Sequence, residues 1–275
     1  MANTPANYAG KPMWVQDQRN SWHGVEYPYY GRSKQSLVEM YRHYCEMILS
    51  IDDSVGRVMQ TLKQRGVDRN TLVLFTSDGG HFWGEHGLID KRCAYEESIR
   101  IPLLAHCPSL IKPKTKCDAI MANIAVAPTL LELAGVSVPA SIDGQSFAGL
   151  LKDPASKDPW RQSLLYEYYW EPQFPQTPSM FCLRDNRFKL IQYHGIWDTD
   201  ELYDTVNDPH ETRNLIREPE HNQRVSQMRQ QLHQRLKETN GLVIPLGFKR
   251  THGSNRRRAV GSTRAEFPTY FNDHE

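Results

Sequence analysis

RNTLVLFTSDGGHFWGEHGLIDKRCAYEESIRIPLLAHCP, residues Arg69 to Pro108, is the stretch whose reading decides the fold. The apolar run from Thr71 to Phe75 reads as a short strand buried on both faces, the kind found in a parallel sheet. Ile101 to Cys107 reads as a second buried strand. Between them lie Asp78, His81, Glu85, His86 and Lys91, with a glycine on either side of the Glu85-His86 pair. Ligands of open parallel sheets bind beyond the carboxyl ends of the strands, so Asp78, three residues past Phe75, is a candidate site residue. A carboxylate followed by two glycines suits a hard cation such as calcium or magnesium, or a general base; an isolated Asp-Gly would be a turn. His81 and His86 offer imidazoles to zinc, but their spacing of five matches neither HExxH nor a zinc finger. Lys91 offers a point charge for an anionic group, the alternative being an ordinary solvated lysine.

Upstream, apolar residues from Leu37 to Leu62 recur at steps of three and four and predict one long amphipathic helix ending near Gly66, with Asp52-Asp53 on its solvated face. Before it, residues 1 to 32 are rich in proline, glycine and aromatics and suit an irregular segment packed on a surface rather than a helix. Within that segment Arg19, Trp22 and His23 would suit a sugar-binding rim, with a packed surface loop as the plain alternative. Downstream, Val126 to Gly135 predicts a helix with Pro128 in its first turn and a glycine stop. The polar stretch Lys152 to Pro159 makes a boundary. Past it, SLLYEYY, MFCLRD and FKLIQYH predict short antiparallel strands, with Asp185-Asn186 as a hairpin turn, and a helix follows over about Glu218 to Lys237. Asn207 to Leu215, NDPHETRNL, reads as turn and helix-cap chemistry. The expected organisation is α/β: residues 1–155 as part of an α/β domain, 156–248 as a small antiparallel-sheet and helix subdomain, and 249–275 as a solvated basic tail.

Composition narrows the partners. With 39% hydrophobic residues, 24% charged residues and a net charge of +1, the 275-residue chain has no global field to recruit nucleic acid or an anionic membrane. Met1 to Gly10 lacks the basic and apolar blocks of a signal peptide. Five cysteines with no CxxC pair suggest neither a disulfide framework nor a zinc knuckle.

The opening stretch resembles the sulfatases of the alkaline-phosphatase-like superfamily, whose typical run reads DNTLVVFTSDNG, GEHG, a lysine, then YEESIRVPLL. The likeness continues through ANIAVAPTLLELAGV, DGQSF and ELYDTVNDPHETRNLI, covers most of residues 10 to 250, and is nearest the glucosamine-6-sulfatase group through SIDDSVGRV, DKR and ANI. The resemblance implies a mixed or parallel sheet with helices, only part of which this chain would form, plus the small C-terminal subdomain. It implies hydrolysis of sulfate esters on sugars by a formylglycine made from a cysteine or serine, with calcium orienting the sulfate. Carried over by residue, Asp78 matches a calcium-binding aspartate and Lys91 the lysine that touches the sulfate and the leaving oxygen. His86 is a candidate for the wall of the substrate site, and His23 for its rim.

The chain departs from that pattern in two places. Gly79 stands where the family has an asparagine or histidine metal ligand, which leaves the calcium site weak or incomplete. The family makes its formylglycine within C/S-x-P-S-R or a close variant, yet no cysteine among Cys45, Cys93, Cys107, Cys117 and Cys182 has an arginine four positions on, and no serine version of the motif occurs. The expectation is therefore the C-terminal part of a sulfatase whose full-length parent would carry the formylglycine and the export signal, if any. The alternatives are a noncatalytic module that binds sulfated glycan or a partner, a nonfunctional fragment, and a phosphoesterase of the same superfamily.

Overall fold

The computed structural model describes residues 5–18, 21, 24, 37–156, 158–171, 174, 176–194 and 198–243. His23, the rim around it and the basic tail lie outside the described residues. The chain forms two compact units that do not follow a linear boundary near residue 155. The first comprises residues 1–40, 79–100 and 165–275, and the second residues 41–78 and 101–164.

The first unit is organised by a four-stranded sheet of β5 (Ser163–Tyr168, joining it at Leu165), β6 (Met180–Asp185), β7 (Phe188–Tyr193) and β8 (Glu201–Asp204), in that spatial order. β6 and β7 pair antiparallel, as do β7 and β8. Asp185 closes the β6–β7 hairpin because its Oδ1 accepts the amides of Arg187 and Phe188 at 2.8 and 2.6 Å, an Asx turn built where the sequence predicts one. Alternation along these strands fills both faces. Phe181, Leu183, Phe188, Leu190 and Leu202 meet Val225, Met228, Leu232 and Leu236, the apolar stripe of the helix α7 (Asn222–Glu238). Met180, Cys182, Ile191 and Tyr203 face a second cluster that includes Trp14, Phe82, Leu88 and Tyr95. Each fully buried aliphatic side chain there contributes about 1.5–3 kcal/mol.

That second face is covered by two segments of distant sequence. Residues expected to be irregular form the short helices α1 (Pro5–Tyr8) and α2 (Met13–Gln18), and α2 buries Trp14 and Val15. The prolines of this segment argue against helix, yet Pro5 stands at the first position of its helix and Pro12 just before the next, where a missing amide costs nothing. The other segment holds the two-residue strands β2 (Phe82–Trp83) and β3 (Ile89–Asp90), paired antiparallel, then α4 (Glu96–Ile99). Gly80 must be glycine, since a Cβ there would stand 2.0 Å from the Glu97 carbonyl oxygen while its amide donates to Ser98 at 2.8 Å.

In the second unit the long helix α3 (Leu37–Gln64) forms as its periodicity predicts, with Asp52 and Asp53 exposed, but none of its residues is buried. The strands β1 (Val73–Thr76) and β4 (Leu103–His106) pair antiparallel with each other, not in a parallel sheet, and neither is buried on both faces. The helix α5 (Val126–Leu133) is capped by Gly135 at φ +70, and Thr129 inside it accepts the amide of Phe147 at 2.9 Å, ahead of α6 (Ala148–Lys152). Among the described residues no helix is long and apolar enough to cross a membrane.

Candidate functional site

Asp78 ends the second unit's β1 loop, exposed, with its carbonyl accepting the Asn123 side-chain amide at 3.5 Å and its carboxylate 3.5 Å from the Ser77 hydroxyl. Calcium takes about six to eight oxygen ligands. The Asp78 carboxylate and the Ser77 hydroxyl supply only part of such a shell, so these two groups do not by themselves make a calcium site.

Lys91 belongs to the first unit, on the turn leaving β3. The bare α-carbon of Gly79 faces it: a Cβ at that position would stand 3.3 Å from Lys91 Cδ and 3.5 Å from Nζ. The departure at Gly79 thus has a physical counterpart, because the volume of a ligand side chain is taken up by the lysine. The backbone on either side of Lys91 is unusual. Asp90 (φ +74) and Arg92 (φ +83) both adopt the left-handed region without being glycine. Such geometry costs roughly 1–3 kcal/mol per residue and persists where surrounding contacts over-determine it. Arg92 supplies local contacts: it pairs with Asp90, stands 3.4 Å from Glu171, and lies over the Phe174 ring at 3.6 Å. The His81 ring packs against Trp83 at a tilt, with ring centroids 4.6 Å apart, and burial, opposed by Asp90, lowers its affinity for a proton.

His86 is fully buried. Its ring stacks on Tyr95 at 4.2 Å, and Nε2 stands 3.4 Å from the Glu97 carboxylate. Burial keeps its pKa below the ordinary value despite Glu97, so a neutral imidazole faces an ionised carboxylate. A ring with no exposed surface does not reach a ligand arriving from solvent; His86 shapes the loop from inside.

The residues that sequence reading passed over lie behind this loop. Lys189 on β7 is fully buried, 2.7 Å from both Glu96 and Glu211, and donates to the Ala94 carbonyl at 2.8 Å. Arg184 joins Glu96 at 2.9 Å. Burial alone would raise the Glu96 carboxyl, but Lys189 and Arg184 outweigh it and hold it at about 2. Glu211, fully buried and sharing the same lysine, is the second carboxyl to ionise; burial pushes it up to about 7. Tyr95, Tyr193 and Tyr203 all donate to the buried Glu201, and Lys11 donates to Tyr203 and to the Glu211 carbonyl. The run Asn207 to Leu215 is turn chemistry, with Asp208 accepting from Thr212 and Arg213, but no helix starts there: α7 begins at Asn222. What the helix-cap reading missed is Glu211, whose signal was only an acid in a polar run.

His86, Glu97 and Glu211 have ligand atoms within 4.8 Å of one another, the spacing of a metal cluster. Glu211 is already in contact with the Lys189 ammonium and the Glu96 amide, and a dication placed beside that ammonium would meet its repulsion. The cluster reads as an internal charge network.

Comparison with known proteins gives a consistent picture. A family described as N-sulphoglucosamine sulphohydrolase, C-terminal, matches residues 84–238, and one described as Sulfatase matches residues 3–136. An N-acetylglucosamine-6-O-sulfatase of Bacteroides thetaiotaomicron is 33% identical over 243 residues, covering 84% of this chain and 43% of the relative. A solved structure of a protein in complex with its substrate D-glucosamine-2-N,6-O-disulfate superposes with TM-score 0.67 at 35% identity, covering 70% of this chain and 40% of that one. The structure of a 2-O GAG sulfatase superposes with TM-score 0.72 at 22% identity over 92% of this chain and 56% of that one, a likeness of fold. The chain spans about two fifths of the length of the curated relatives it matches.

Proposed function

Because this chain belongs to the sulfatase family, which the matched C-terminal segment places over more than half of its 275 residues, we propose that the whole protein hydrolyses sulfate esters on carbohydrates. In that reading these residues supply the lysine side of its anion site. The proposed substrate class is sulfated glucosamine, from the names of the relatives.

The observation that carries the reading is Lys91, an ammonium set against the bare Gly79 by a backbone bracketed with left-handed residues. A cation fixed in this way neutralises sulfate oxygens and steadies the charge that grows on a leaving oxygen. The family as a whole works with a metal, usually calcium, and a formylglycine nucleophile. We assign Asp78 to the metal as one ligand of several. None of the described cysteines takes the nucleophile's place by motif, and three of them, Cys93, Cys107 and Cys182, are buried. Burial pushes the Cys182 thiol up to about 12, and raises that of Cys93 as well. His23 is proposed as a rim residue for the sugar, and His86 as support for the wall.

By itself, then, the 275-residue chain is read as binding the sulfated sugar without splitting it. The test is a titration of the chain and its Lys91→Ala variant with glucosamine 6-sulfate and glucosamine 6-phosphate, with free sulfate and phosphate measured in parallel. Binding of the sulfate ester that is lost in Lys91→Ala, with no sulfate released, is the expected result. Sulfate release by the chain would overturn the binding-only reading, equal binding by Lys91→Ala would overturn the role of the lysine, and a preference for the phosphate ester would favour a phosphoesterase.

A further inference from the structure

Two facts about the first unit stand without a common cause until they are joined. One is the strained backbone at Asp90 and Arg92, on either side of Lys91. The other is a set of fully buried charges, expensive to place there, on β7 and in the turn after β8. Their contacts converge on the residues that follow Lys91. Lys189 Nζ donates to the Ala94 carbonyl at 2.8 Å and stands 2.7 Å from the Glu96 carboxylate. Glu211 accepts the Glu96 amide at 2.7 Å. Arg184 holds the other side of the Glu96 carboxylate, and the Tyr95 hydroxyl donates to Glu201 at 2.7 Å. The incoming side is tied down as well, by Tyr8 donating to the His86 carbonyl at 3.0 Å and by the stack of His86 on Tyr95.

We infer that Lys189 and Glu211 are positioning residues for Lys91: the buried pair grips residues 94–96 from the sheet side and so holds the turn 90–92, and with it the lysine ammonium, in its strained place. The inference rests on the reading of Lys91 as the sulfate-binding cation. It gives the run NDPHE a task beyond turn formation. Pro209 and Asp208 shape a turn that carries Glu211 at φ +48 back into the interior, where it completes the grip. A core that needed only stability would be served as well by apolar side chains of similar volume, whereas a carboxylate that accepts one specific amide fixes a position.

The test uses the full 275-residue chain at pH 8, with glucosamine 6-sulfate as the probe and backbone amide resonances as the readout. Glu211→Gln is the mild variant, Lys189→Met the severe one, and Leu232→Ala a control that weakens the same unit from its other face. The expected result is that both grip variants keep the resonances of β6, β7 and α7 but shift those of residues 90–92, and weaken binding at least about tenfold. The control loses stability with binding within about twofold. Glu211→Asp, which keeps the charge, restores part of the affinity. Should Lys189→Met fail to fold, Glu211→Gln and Glu211→Asp decide the matter. Unchanged 90–92 resonances and affinity in Glu211→Gln would overturn the positioning role, as would a Leu232→Ala control that loses affinity equally. If Lys91→Ala itself binds as well as the wild type, the reading of Lys91 fails, a result separable from failure of the grip.

Discussion

The two units of this chain spend their apolar residues differently. In the first, both faces of the β5–β8 sheet are covered, and even the charges on β7 and in the turn after β8 are sealed in and paired. In the second, α3 runs for 28 residues with none buried, and Ile48, Ile51, Val55 and Val58 are all exposed. Leu104 on β4 is 63% exposed and Phe75 on β1 is 37% exposed. The difference teaches that hydrophobic periodicity reports the face a segment is built to bury, not whether the described residues bury it. The pattern along α3 is as regular as that along α7, but among the described residues only α7 buries its stripe, against the β5–β8 sheet.

The comparison breaks most easily at its charged centre. Replacing Lys189 by Met leaves Glu96 and Glu211 facing each other in a buried space, and should destabilise the first unit by about 3–5 kcal/mol. Ile51→Ala on α3 should cost no more than about 0.5 kcal/mol. Urea unfolding of both variants checks the contrast, and equal costs would mean that α3 is buried in solution. Next in size is a pH effect. Glu211 has a folded pKa of about 7, above the ordinary carboxyl value of 4.5. A raised pKa means that the folded state binds the proton more tightly, so this contribution is fully present below pH 4.5 and fades as pH rises through 7. Its size is on the order of 3 kcal/mol. Glu96, held at about 2, works in the opposite sense, and its contribution is lost only as pH falls from 4.5 through 2. Melting curves between pH 4.5 and 8 should therefore slope downward in the wild type relative to Glu211→Gln; parallel curves would refute the assignment. A smaller effect belongs to the second unit. Exposed apolar residues on one helix favour association, so Ile48→Glu with Ile51→Lys should lower light scattering while changing the melting temperature by no more than about 2 °C.

Much of the first unit was legible because its elements carry their own signals. The Val225, Met228, Leu232 and Leu236 stripe predicts α7, and Asp185-Asn186 predicts the hairpin, since each depends on near neighbours. β8 was less visible: Glu201 and Asp204 look like solvent-facing acids, and only the three tyrosines and Arg187 that meet them in space explain their burial. The same holds for the site. Asp78 and Lys91 stand out through their company of glycines and a matching family pattern, while Lys189 and Glu211 are separated from Lys91 by about a hundred residues or more, so no local pattern marks them. The two-faced strand at Thr71 to Phe75 failed for a related reason. An apolar run says that a strand is suited to burial, but among the described residues its only strand partner is the antiparallel β4.

The smallest expected effect is also the sharpest probe of Lys91. Gly79 has no side chain, and a Cβ there would meet Lys91 Cδ at 3.3 Å, close enough that the lysine must give way by a few tenths of an ångström. Lys91 is a flexible chain and can do so at little cost in stability, so Gly79→Ala should leave the melting temperature nearly unchanged. The ammonium nevertheless moves, because Nζ itself lies only 3.5 Å from the new atom. A charge that acts by position loses affinity when displaced, and glucosamine 6-sulfate should bind about two- to fivefold more weakly to Gly79→Ala. A lysine that merely dangles in solvent would not register the methyl group. Equal binding by Gly79→Ala, alongside lost binding by Lys91→Ala, would show that the charge matters while its place does not, and the contrast between a tightly specified first unit and a loosely covered second one would then stop short of the site.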